Sequence, residues 1–251
     1  FENTSNSEIS DMKIKGGSGR AGGGIRINES SPVLRNIEIS ENLSMEKGGG
    51  LYVKNSNPLL ESVVVKNNES IKGGGIYFKS SEPIIRDTQI ELNALTPSDT
   101  ELREGGGVYA VNTNLTIENV TISGNIATGN GARGGGIMIK TTSQDGRIDS
   151  DNIFNNLSLN GNESDYGGGI YLSSNSMNTV NNVVLSDNTA YEDGGGIFTE
   201  SGSASLIINS TIVDNNTFGE GPGLYIEDDL NGPVIVNSII WGNMQAGETG
   251  V

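Results

Sequence analysis

The chain contains no cysteine, no histidine and only one tryptophan. Without cysteine there are neither disulfides nor thiolate metal sites. Without histidine, imidazole catalysis and the commonest transition-metal ligand are excluded. Long apolar runs are missing too, so no segment reads as a membrane-inserting helix. Phe1 to Ser10 is polar and lacks the character of a signal peptide. Cationic residues are scarce, with 15 Lys and Arg against 31 Asp and Glu and a formal net charge of −16. Such a surface argues against a nucleic-acid partner, because phosphate binding needs basic residues. It is compatible with cations or with a neutral glycan. Nothing in the composition calls for a cofactor.

What the chain has in abundance is glycine, 37 of 251 residues, with hydrophobic residues at only 33 %. A broad globular core cannot be built from this composition, yet the apolar residues are too regular for disorder. A narrow core repeated along an axis satisfies both facts. Gly-Gly-Gly occurs seven times and an eighth copy reads Gly221-Pro222-Gly223. Their third glycines are Gly24, Gly50, Gly75, Gly107, Gly136, Gly169, Gly196 and Gly223, spaced 25 to 33 residues apart. That period is in the solenoid range.

Each motif leads into an alternating segment. The first residue after it is Ile25, Leu51, Ile76, Val108, Ile137, Ile170, Ile197 or Leu224. The third is Ile27, Val53, Phe78, Ala110, Ile139, Leu172, Thr199 or Ile226. Period-two spacing is a strand signal and turns both positions inward. A second apolar block follows, as in Leu34-x-Asn36-Ile37-x-Ile39-x-x-Asn42. The alternation skips at Asn36, which reads as a corner between two strands, and asparagine tolerates the left-handed backbone a corner needs. Ile37, Val63, Ile90, Val120, Leu157 and Val183 are expected to share one inward column. The asparagines that close the blocks, Asn42, Asn68, Asn93, Asn125, Asn162, Asn188, Asn215 and Asn243, are expected to stack about 4.8 Å apart as an amide ladder. No 3.6-residue stripe is present, so no helix is expected.

The fold class expected is therefore all-β, a right-handed parallel β-helix of about nine coils with three short strands each. Residues 1–251 read as a single segment. Phe1 to Ser5 resembles a strand exit and Met244 to Val251 has no polar cap, so further coils or domains of a longer parent chain are expected on either side.

The run Ile/Val-x-x-Asn, a variable stretch, then Gly-Gly-Gly-Ile-Tyr resembles the repeat of the polymorphic outer-membrane protein family. It is equally similar to parallel β-helix repeats of large secreted bacterial proteins. The segments that carry the resemblance are Val65 to Tyr77, Leu159 to Tyr171, Leu185 to Phe198 and Ile212 to Tyr225, with Asn237 to Asn243 matching the second group. The resemblance implies the fold, a secreted or bacterial cell-surface location, and an adhesin, passenger or spacer role toward a glycan or host-surface partner.

Chemistry was sought in four patterns. The glycine triplets precede strands and lack a following Gly-Lys-Ser/Thr, so they are not phosphate loops. Asp149-Ser150-Asp151-Asn152 alternates oxygen ligands, but no acid closes a twelve-residue calcium loop, and a solvated loop is the simpler reading. A polysaccharide lyase or glycoside hydrolase is the alternative to a binding role, and hydrolysis needs paired carboxylates. Its candidates are Asp145, Asp149, Asp151, Glu227, Asp228 and Asp229, which also read as plain turn residues. Ten Asn-x-Ser/Thr sequons occur, several at corner asparagines the fold itself requires.

Two features are more specific. The second residue after the motif faces away from the core yet is Tyr52, Tyr77, Tyr109, Tyr171, Phe198 or Tyr225, six of thirteen aromatics, interrupted by Met138 and preceded by Arg26. This column is either a ligand-binding platform for sugar rings or a partner, or a stack that stabilises the strands. On the platform reading, replacing Tyr77 and Tyr109 together removes binding and spares the fold. On the stacking reading it lowers stability. The second feature is a pair of long insertions, Ala94 to Glu104 and Ile126 to Arg133, at one corner of adjacent coils. Clustered insertions on a solenoid serve as binding surfaces or are tolerated surface variation.

Overall fold

The computed structural model describes residues 1–4, 7–98, 101–142, 150–227 and 232–246, and among them no helix occurs. The chain winds as a parallel β-helix with three sheets. The glycine motifs feed an eight-stranded sheet that starts at Ile25–Asn28 and ends at Leu224–Ile226. The second apolar block forms a 16-stranded sheet bent at the corner. Its two strand columns run separately in most coils and fuse through the corner in Thr116–Ser123 and Ser150–Asn160. A third sheet of nine strands, as short as Glu69–Ser70, follows the ladder asparagines. The two strands read on either side of the corner thus belong to one sheet, and the short third sheet is what the apolar pattern did not reveal.

The corner behaves as its residues demand. Asn36, Ser62, Asp87, Asn119, Asn156, Asn182, Asn209 and Asn237 all have φ between 49° and 55°. In this left-handed region a short side chain with local hydrogen-bonding capacity is tolerated where a β-branched one is not. Each corner turns the chain once and lets the inward face resume.

The inward columns are buried from Ile25 to Ile212, whereas Ile226, Ile235 and Ile240 at the end of the axis are exposed, and Ile37, Val63, Val120, Leu157 and Val183 share one column as expected. Ile90 is also buried but stands in the next column, paired with Val65 and Ile122. Its place beside Val63 is taken by Thr88, whose hydroxyl accepts the Val63 N–H at 3.2 Å and donates to the Arg86 carbonyl at 2.8 Å. A hydroxyl that bonds back to the corner satisfies itself there, which is why threonine enters an aliphatic column.

The asparagine ladder is continuous. The side-chain amide of each residue donates to the carboxamide oxygen of the next, from Asn42 to Asn243, at 2.9 to 3.0 Å. The glycine motif packs directly on it. Gly48 has φ of +65°. A Cβ on Gly49 would lie 2.3 Å from the Gly74 carbonyl oxygen, and one on Gly50 3.0 Å from the Asn68 amide nitrogen.

Two stability outcomes follow from a core one side chain deep. Ile122→Asp puts an unpaired carboxylate among Val120, Leu159 and their neighbours, and chemical denaturation is expected to show a loss of several kcal/mol. Unchanged stability would mean that the inward register is wrong. Asn125→Ala leaves the backbone N–H and side-chain amide of Asn93 without their shared acceptor. It is expected to destabilise by about 1–3 kcal/mol for each buried group left unpaired.

Candidate functional site

The aromatic column faces away from the core but is not an open platform. Tyr77 and Tyr109 are each 4 % exposed, and Tyr52, Met138, Tyr171 and Phe198 are buried as well. Only Tyr225 is half-buried. The rings form a second apolar core outside the coil. Tyr52 stacks on Tyr77 at 5.4 Å, Tyr77 meets Tyr109 edge-on at 5.1 Å, and Tyr171, Phe198 and Tyr225 stack at 4.6 and 4.9 Å. Burial pushes the phenols of Tyr77, Tyr109 and Tyr171 well above their ordinary range.

What covers the rings comes from the residue just before each glycine motif. These residues, Lys47, Lys72, Glu104, Arg133 and Tyr166, bridge from coil to coil in their own column. Lys47, Arg133 and Tyr166 each lean over the ring of the coil that follows. The Lys47 ammonium lies 5.7 Å from the Tyr77 ring centre, the Arg133 guanidinium 5.1 Å from that of Tyr171, and the Tyr166 ring meets Phe198 edge-on at 5.7 Å. Long cationic stems cover an aromatic face while the charge meets its negative centre. Glu104, fully buried, ties this cover together: its carboxylate accepts from Lys140 at 2.6 Å and lies 3.5 Å from Lys72.

At the other end of the column the cover is incomplete and a cavity of about 400 Å³ opens. Tyr166, Tyr171, Phe198 and Tyr225 form its aromatic wall, and Arg133, Asp193, Glu200 and Glu227 its charged groups. Leu102 and Gly131 contribute the remaining side. Both belong to the insertions singled out from the sequence, which pack together here. Asn130 donates to the Ser98 carbonyl at 2.8 Å, and the Asp165 carboxylate accepts from the N–H groups of Gly129, Gly131 and Ala132 at 2.8 to 3.0 Å.

Glu200 is the most constrained group of the cavity. Its carboxylate accepts from the Tyr171 hydroxyl at 2.6 Å, from the Ser174 N–H at 2.9 Å and from the Ser174 hydroxyl at 3.0 Å, and Arg133 lies 3.3 Å away. Burial pushes its pKa up, but these partners together outweigh it and hold the carboxyl below the usual range. Glu200 is a fixed anion whose lone pairs are already engaged.

Of the acids singled out from the sequence, Glu227 lines the cavity. Asp151 does not: it sits exposed within the strand Ser150–Asn160 on the bent sheet. That strand replaces the loop expected there. Ser150 and Asn152 point inward and Asp151 outward, so the three oxygens cannot converge on one ion. Asp145, Asp149, Asp228 and Asp229 lie outside the described residues. Among those described, no cluster of acids has the geometry to hold a metal. Sequence reasoning missed Arg133, Tyr166, Asp193 and Glu200. The usable signal was columnar: three of them immediately precede a glycine motif and the fourth follows one by four residues.

No match was found among curated proteins, and none among solved structures. A family model described as a right handed beta helix region matches residues 1–153 and 146–249. With the parallel coils, the corner residues and the ladder in place over the same span, the chain belongs to the right-handed β-helix family.

Proposed function

We propose that this chain is a non-catalytic binding rod of a secreted or bacterial cell-surface protein, an adhesin, passenger or spacer that takes a glycan in the cavity beside its aromatic column. The observation that carries this reading is the cavity, where Tyr166, Phe198 and Tyr225 stand together in a concave wall with fixed polar groups beside them. Ring faces and oriented carboxylates are what a sugar needs, one for its apolar face and the other for its hydroxyls. The location rests on the resemblance of the coil sequence to surface and secreted repeat proteins. The net charge of −16 supports a partner other than nucleic acid.

A polysaccharide lyase or glycoside hydrolase is the second reading, favoured by three carboxylates, Asp193, Glu200 and Glu227, lining one cavity. Glycoside hydrolysis needs one carboxylic acid that holds its proton at working pH. Glu200, the acid best placed by packing, is tuned the opposite way. Incubation with a panel of acidic and neutral polysaccharides is expected to release neither reducing ends nor unsaturated products. Reproducible release of either would sink the binding-only reading.

The column itself divides into a structural part and a binding part. Tyr225→Ala is expected to weaken glycan binding about tenfold, as for one aromatic contact, with little change in melting temperature. Tyr77→Ala combined with Tyr109→Ala removes two buried rings and is expected to lower stability by several kcal/mol while binding persists. Calorimetric titration and thermal melts on both variants check this. Loss of binding in the Tyr77/Tyr109 pair at intact stability would return the whole column to the role of platform.

A further inference from the structure

The aromatic column is flanked on both sides by charged columns, and both change sign along the rod. On the side that precedes each glycine motif the order is Lys47, Lys72, Glu104, Arg133, Tyr166, Asp193, Glu220. The last two continue the column through backbone bonds, Gly167 N–H to the Asp193 carbonyl and Gly194 N–H to the Glu220 carbonyl, each 3.0 Å. Four residues after the motif the order is Lys54, Lys79, Val111, Lys140, Ser173, Glu200, Glu227. Tyr52 and Tyr77 therefore lie between cations, and Phe198 and Tyr225 between carboxylates. The switch is global: every Lys and Arg of the chain lies at or before Arg147, whereas 14 of the 31 acids lie beyond it.

Three rings of the column receive a cation from the protein itself. Arg26 lies 5.9 Å from the centre of the Tyr52 ring, Lys47 5.7 Å from that of Tyr77 and Arg133 5.1 Å from that of Tyr171. Tyr109, Phe198 and Tyr225 receive none; Tyr109 and Phe198 are buried all the same, Phe198 with Tyr166 edge-on against it, and Tyr225 alone is half-buried. The residue in the covering position above Tyr225 is Asp193, and Glu220 and Glu227 press on the same hydroxyl, which together with burial raises its pKa. The cavity opens at Phe198 and Tyr225. Arg133 shows within the same cavity what the missing group would do, lying over a ring while it pairs with a carboxylate, Glu200.

We propose that this cavity binds an amino sugar, its ring on Tyr225 and its ammonium group between Asp193 and Glu227, supplying from outside the cation that Tyr52, Tyr77 and Tyr171 receive from the chain's own arginines and lysine. The proposal names the ligand class of the glycan site argued above and rests on that reading. A cavity of about 400 Å³ accommodates one or two sugar rings, and the ammonium gains from the ring face and from two carboxylates at once. A neutral sugar gains the stacking and hydroxyl hydrogen bonds without the charge pairing, and an acidic one meets the like charge of this half of the rod.

The test is calorimetric titration of the whole chain at mildly acidic pH, where amines are protonated and carboxylates ionised. The probes are a glucosamine oligomer with free amines, its N-acetylated counterpart, a neutral glucose oligomer of equal length, and oligolysine. The free-amine oligomer is expected to bind about tenfold tighter than the acetylated one, the margin of one cation–π contact with charge pairing. That margin should shrink as salt is raised. Asp193→Asn with Glu227→Gln keeps side-chain size and should remove the preference, the acetylated oligomer still binding and the melting temperature unchanged. Equal binding of all three sugars overturns the amine proposal and leaves the glycan reading standing. No sugar bound at all overturns both. Oligolysine bound through the same two carboxylates, without the glucosamine oligomer, replaces the sugar with a basic peptide. A preference that survives the double substitution places the amine elsewhere and overturns the assignment to this cavity.

Discussion

The side-chain amide of the ladder asparagine is the constraint from which the rest of the coil follows. Asn68 shows why. Its amide nitrogen donates forward to Asn93 and back to the Ile39 carbonyl, both at 2.9 Å, and its oxygen accepts from the N–H and the side chain of Asn42. The group is buried and its bonds are spent on coils above and below. Any change of coil spacing would leave it unsatisfied, at a penalty larger than one hydrogen bond contributes. The third glycine of the motif has to be glycine because this amide occupies the space a Cβ would take. Loops longer by several residues are absorbed elsewhere in the coil. The ladder fixes the vertical repeat, the glycines let the backbone approach it, and every column, apolar or aromatic, inherits its register.

One consequence is a protein with two cores. The inner one is aliphatic and was legible, because Leu34, Ile37 and Ile39 announce their direction by alternation and the corner by a skipped position. The outer one was only half legible. Alternation assigns Tyr77 and Tyr109 to the outside of the coil, and the structure agrees. It says nothing of whether that outside is covered. The cover arrives from Lys47, thirty residues before the ring it shields, and from Arg133, thirty-eight before Tyr171. No local pattern connects residues so far apart. Only the repeat does, once each residue is placed by its distance from the nearest glycine motif.

The same limit explains the other departures. Thr88 displaced Ile90 from its expected column because a corner hydroxyl that bonds to backbone is as acceptable inside as a methyl group. Ser150 and Asn152 looked like loop ligands because they are polar. They are buried in a strand where Asn152 pairs with Asn178 at 3.0 Å, a short internal polar stack that hydropathy reads as solvent-facing. In each case the sequence identified a polar residue and the hydrogen-bonding partner one coil away decided its side.

The cavity is a product of the change in covering residues rather than a separate device. Lysine and arginine carry stems long enough to lie across a ring, and their charge is attracted to its face. Aspartate and glutamate have short stems, and their charge is repelled by that face, so they stand aside. Where Asp193 and Glu227 replace the lysines of earlier coils, Tyr225 has no lid but keeps its stacking, 4.9 Å from Phe198. The first insertion then supplies Leu102 and the second Gly131 as a wall, and Glu200 is locked ionised by Tyr171, Ser174 and Arg133. A repeating scaffold has thereby produced one non-repeating site. It did so by exchanging the sign of two columns while the ladder, the corners and the inner core continued unchanged.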